Sequence, residues 1–204
     1  MSKKIKISII LNILIIIFEL IGIIKSFNYN KFEMFYYYTE CSNILALFSS
    51  SLYLVDLLLN KNNIKLVSAF KYLSTLALMI TFLVVLFILV PLAGFSNLIF
   101  YFTGGAMLYH HLLCPVIAFI SLLYFDKIEV NVKFTKYILY FTLLYAFVLI
   151  ILNIFKIVDG PYPFLRVYNQ SIVISIMWFI LIIGMTYILS ILFNKLLTRK
   201  RKNE

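Results

Sequence analysis

The chain of 204 residues is 64% hydrophobic and only 13% charged, with a mean hydropathy of +1.03 and a net charge of +10. Soluble domains lie nearer half apolar and a quarter charged, so this balance excludes a water-solvated globule. The basic excess falls in short segments between apolar runs, a pattern that sets membrane topology and gives no nucleic-acid surface.

Taken in order, the apolar runs predict six membrane spans, at about 6–25, 36–59, 70–92, 106–125, 136–155 and 170–194. They are continuous and not alternating over about ten residues, which argues against a β-barrel. The first run follows Lys3, Lys4 and Lys6 and has no small-residue cleavage site, so it reads as a retained span and not a removed signal peptide. Lys3, Lys4, Lys6, Lys61, Lys65, Lys71, Lys127, Lys133, Lys136, Lys195, Arg199, Lys200, Arg201 and Lys202 fall on one side, 14 of the 18 Lys and Arg residues. Lys25, Lys31, Lys156 and Arg166 fall on the other. The positive-inside rule then places both termini in the cytoplasm of a cell-membrane protein, which an even number of spans allows. The expected fold is all-α and polytopic, a single six-helix transmembrane domain over 1–204.

The outer connections carry the informative residues. The first, Ser26 to Phe35, is polar and aromatic; the second, Gly94 to Gly105, holds Asn97, Tyr101 and the pair Gly104-Gly105. The third contains Asp159-Gly160-Pro161-Tyr162-Pro163, which is turn chemistry. The inner connections are short, basic and without motif. There is no internal repeat, no phosphate-cradling glycine loop and no CxxC pair, so any chemistry belongs to the outer half.

Polar groups inside the spans are costly in lipid and mark candidate sites. They are Asn12 and Glu19 in the first span; Thr39, Glu40, Cys41, Ser42, Asn43 and Asp56 in the second; His110, His111 and Cys114 in the fourth; and Asn153 in the fifth. Asp56 reads as a solvated end residue and Asn12 as helix glue. At 1.5 Å per residue, Thr39 and His110 lie about 5 to 6 Å below the outer boundary, with Asn153 slightly shallower and Glu19 about 9 Å deep. Thr39 and Asn43 share one face of their helix, from which Cys41 is turned by about 200°. His110 and Cys114 share a face, and His111 is turned by about 100°.

Tyr38-Thr39 followed by Ser42-Asn43, His110 five residues before Pro115, and Tyr162-Pro163-Phe164-Leu165 before the last span together resemble one family. It is the androgen-induced protein and androgen-dependent TFPI-regulating protein family, with its bacterial six-span relatives. The resemblance covers most of the chain in span order. Animal members are multi-pass threonine hydrolases that cleave fatty acid esters of hydroxy fatty acids, which implies Thr39 as nucleophile and His110 as base. His111 is a rival base, because the spacing to Pro115 could slip by one. Cys41 departs from the pattern and is an alternative nucleophile, since a related type of membrane acyltransferase pairs Cys with His.

The chemistry is coherent on physical grounds. A Thr hydroxyl needs a base within about 3 Å, and neutral imidazole suits that task near pH 7. Asn43 or Asn153 would donate to the oxyanion, and Glu19 or Glu40 would orient the imidazole. The expectation is a membrane-embedded lipid-ester hydrolase or acyltransferase near the outer leaflet, with membrane lipid or a lipid ester as partner. The alternative is a small-molecule or lipid transporter or binding protein lined by the same polar residues. With two His and two Cys, two of them turned away, no four-ligand zinc site is expected, and neither metal nor cofactor is implied. A disulfide between Cys41 and Cys114 is the bland alternative for the two thiols.

Overall fold

The computed structural model describes residues 2–59, 64–129 and 131–202. Lys61, counted above among the inner basic residues, lies outside the described residues. The structure is 86% helical with no strand among the described residues, and six helices are long and apolar enough to cross a membrane. The protein is a multi-pass helical membrane protein.

The chain divides into two units, Met1–Val130 and Asn131–Glu204. In the first, α1 (Lys3–Asn30) opens on Ser2, whose side chain accepts from the Ile5 amide at 3.3 Å. A 3₁₀ turn, Lys31–Tyr36, leads to α2 (Tyr38–Leu59). α3 (Ile64–Val84) widens into a π turn at Val85–Leu89 and ends in Val90–Ala93. The short α4 (Leu98–Thr103) precedes α5 (Leu108–Phe125), which is π-helical over Leu108–Leu113 and Ser121–Phe125 and α-helical over Cys114–Ile120 between them. Two of the three π turns lie beside a proline, Pro91 or Pro115. Proline offers no N–H and its ring collides with the carbonyl four residues back, so a wider turn relieves the strain without breaking the span.

α2 packs along both α1 and α3, and α5 closes against α1 and α3. Where they meet, Ile15, Ala46, Leu78, Cys114 and Ala118 form a dry core with one or two residues from each helix. The α1 face turned inward is Ser8, Asn12, Ile15, Glu19, Gly22 and Ser26, alternating three- and four-residue steps that keep one stripe buried. Hydroxyls stitch α2 to α3: Ser42 to Thr81 at 3.0 Å and Ser49 to Ser74 at 2.6 Å.

The second unit contains α6 (Phe134–Ile154), a 3₁₀ turn at Pro163–Leu165 and α7 (Ile172–Lys202). Its connection is closed by side-chain bonds, Arg166 Nε to the Gly160 carbonyl at 3.0 Å among them. The first helix runs beyond the expected 6–25 at both ends, to Lys3 and Asn30, and the last runs past 194 to Lys202 at its basic end, because helix geometry persists after the apolar stretch stops.

Candidate functional site

The first unit buries two polar clusters on either side of the dry core. One is built around His110. The π turn at Leu108–Leu113 aims the ring between α1 and α2, where it is 1% exposed. Nδ1 meets Glu40 Oε1 at 3.2 Å, and Nε2 faces Glu19 Oε2 at 3.7 Å. Ser26 donates to the same Glu40 oxygen at 2.7 Å, and the Cys114 thiol lies beside Glu19. Gly22 makes the room: a Cβ there would collide with Nε2 and Cδ2 of the imidazole. Both carboxylates are buried, Glu19 completely.

This cluster is short of hydrogen bonds. Glu40 Oε2, Asn43 Oδ1 and His110 Nε2 are buried without a hydrogen-bond partner among the described residues, and the Glu19 oxygens have only the weak Cys114 thiol and the 3.7 Å approach of Nε2. Thr39, next to Glu40 in sequence, is also buried, and its backbone carbonyl accepts from Ser42 Oγ at 2.8 Å and Asn43 Nδ2 at 2.7 Å. The Asn43 donor group is therefore turned along its own helix, leaving its carbonyl oxygen unpaired. His111 points elsewhere, its Nδ1 2.8 Å from the Tyr101 carbonyl. Because a carbonyl only accepts, that nitrogen carries the proton.

The other residues expected near the site have separate surroundings. Cys41 is partly exposed and its thiol reaches the Phe35 carbonyl at 3.6 Å. Cys41 and Cys114 are both free thiols, so they form no disulfide. Asn153 belongs to the second unit, where it ties the α6–α7 connection: Nδ2 donates to the Val158 carbonyl and Oδ1 accepts from the Val167 amide, each at 2.9 Å. Among the described residues no group of three His, Cys, Asp or Glu is arranged to hold a metal ion.

The second cluster, around Lys71, was not anticipated from the sequence. Lys71 Nζ lies 3.4 Å from Asp126 Oδ2 and donates to Asn12 Oδ1 at 2.8 Å and Ser50 Oγ at 3.4 Å. Asp126 Oδ1 accepts from Ser8 at 2.6 Å, Asn12 at 2.9 Å and Ser121 at 2.8 Å. Tyr53 completes it: its hydroxyl is 3.0 Å from Ser8 Oγ and accepts from the Lys127 amide. Four helices and the residue that ends α5 thus meet around one ion pair. Asn12 is the visible hint, since it shares a stripe with Glu19.

Comparison with protein-family models, curated proteins and solved structures finds no match for this chain.

Proposed function

We propose that the protein is a membrane-embedded lipid-ester hydrolase, with His110 as general base, Glu40 orienting it and Thr39 as nucleophile. The observation that carries this reading is the buried Glu40–His110 contact, which engages Nδ1 while Nε2 has no hydrogen-bond partner. An imidazole oriented by a carboxylate at one nitrogen and without a hydrogen bond at the other suits a general base; here that second nitrogen packs against Gly22 and faces Glu19. Thr39 lies one residue from Glu40, on the helix that supplies the orienting carboxylate. In the step proposed, Thr39 Oγ attacks the ester carbonyl and passes its proton to Nε2. The imidazole returns that proton to the departing alcohol, and water then releases the acyl group. Glu19 faces Nε2, so the substrate must share or displace that contact. The family resemblance of the sequence agrees with this assignment, and the distribution of Lys and Arg would set the cluster toward the extracytoplasmic leaflet of the cell membrane, with both termini inside.

A second reading is transport or binding of a small molecule or lipid. It is favoured by the α1 stripe, where Ser8, Asn12, Glu19 and Ser26 spread polar groups along most of one buried face. Hydrolysis of fatty acid esters by purified protein in detergent separates the two. The hydrolase loses at least a hundredfold on Thr39→Ala and on His110→Ala while keeping its thermal unfolding profile; unchanged rates in both variants would sink it.

A further inference from the structure

We propose a second binding site, independent of the imidazole cluster: the basic end of the α6–α7 hairpin holds the phosphate headgroup of an anionic phospholipid. A cleft of about 480 Å³ opens there, lined by Val132, Thr135, Ile191, Asn194, Lys195 and Arg199. Lys195 and Arg199 are exposed and stand one helical turn apart, so both cations reach the same opening. Neither has an acidic partner among the described residues. The stretch 131–202 contains one carboxylate, Asp159, and that group lies 3.8 Å from Arg166 in the connection at the opposite end of both helices.

The same end carries Lys133, Lys136, Lys200, Arg201 and Lys202. The N-terminus of the 21-residue α6 adds its positive dipole end beside Thr135. Beneath a largely apolar lining lie buried, weakly bonded polar groups. Asn194 Nδ2 is 3.4 Å from both the Asn131 carbonyl and Thr135 Oγ1, and Thr198 reaches Asn194 Oδ1 at 3.4 Å. The walls are apolar, with Val132 76% exposed, and the α7 surface above stays apolar through Leu192 and Ile188. A phosphate between two cations with greasy chains above it matches an anionic phospholipid, whose headgroup and tails meet those two surfaces together. A soluble phosphate would use only the first. The basic side of a bilayer protein also faces the leaflet where anionic lipids concentrate.

The test is native mass spectrometry of the full chain in neutral detergent, titrated with phosphatidylglycerol, phosphatidylcholine or sn-glycerol 3-phosphate. Wild type is expected to retain phosphatidylglycerol at least tenfold better than phosphatidylcholine. The Lys195→Gln/Arg199→Gln variant should lose about 10- to 30-fold of that affinity, from roughly fivefold per cation. A control, Lys3→Gln/Lys4→Gln, removes the same charge elsewhere and should bind as wild type does. The site is overturned if the double variant binds normally, if the control loses as much, if phosphatidylcholine binds equally, or if glycerol phosphate alone binds as tightly as the lipid. Both variants change exposed residues, and matching thermal unfolding profiles identify them as folded.

Discussion

The two buried clusters of the first unit are made from the same materials and are finished differently. Around Lys71, an ion pair is ringed by Asn12, Ser8, Ser50 and Ser121 until nearly every donor and acceptor is used. Around His110, Glu40 Oε1 takes the Ser26 hydroxyl and meets Nδ1, while four atoms of the two carboxylates and the imidazole make no strong hydrogen bond, two of them, Glu19 Oε2 and Nε2, facing each other at 3.7 Å. Orphaned buried polar groups each cost about 1 to 3 kcal/mol, so the His110 cluster contributes less to stability than its number of polar groups suggests. The closed cluster ties four helices together; on the reading proposed, the other keeps its imidazole for chemistry. A dry core of Ile15, Ala46, Leu78, Cys114 and Ala118, with Phe18 and Ile117 packed against it, stands between them.

The sharpest way to break this comparison is to open the closed cluster. Lys71→Met strands Asp126, buried to 3% exposure, and should cost about 3 to 5 kcal/mol in detergent unfolding. Adding Asp126→Leu should recover much of that loss, because no unpaired charge then remains. If Lys71→Met is tolerated, the closed cluster is not structural. Next in size is Gly22→Ala, which forces the imidazole out of its seat. It should cost about 1 to 3 kcal/mol by overpacking and lower ester hydrolysis at least tenfold; full activity with wild-type stability would mean the ring position is unimportant.

Glu19→Gln separates the clusters more finely. Replacing a buried carboxylate that makes no strong hydrogen bond should leave stability unchanged or raise it by about 1 kcal/mol, while hydrolysis changes if the site is the one proposed. A loss as large as that of Lys71→Met would place Glu19 with the structural cluster instead. The smallest effect belongs to Cys41→Ala, at a partly exposed position away from His110. Stability within about 0.5 kcal/mol and unaltered hydrolysis are expected; lost activity would move the nucleophile from Thr39 to Cys41.

How much of this was readable from the chain follows the same division. The six spans are legible because runs of about 20 apolar residues have few other uses. Glu19, Glu40 and His110 stand out because ionisable groups are rare in such runs; the matched depth of Thr39 and His110, with Glu19 a few Å deeper, suggested a shared level. Lys71 was hidden by hydropathy: it fell at the very start of the expected span at about 70–92 and was counted with the inner basic residues, yet the helix begins at Ile64 and puts it two turns inside α3. Asp126 was hidden beside Lys127 at a span end, where a solvated charge is the ordinary reading. The π turns left no periodic trace, and only Pro91 and Pro115 hinted at them. Asn153 looked like a site residue by depth, but depth does not reveal that the amide is spent on the Val158 and Val167 backbone.

The most direct measurement is covalent: treat the purified protein with a fluorophosphonate probe and locate the adduct by peptide mass spectrometry. A hydrolase built on Thr39 and His110 gives one labelled residue, Thr39, with labelling lost in His110→Ala and sharply reduced in Glu40→Gln. An adduct at another residue, or labelling that persists unchanged in His110→Ala, would contradict it.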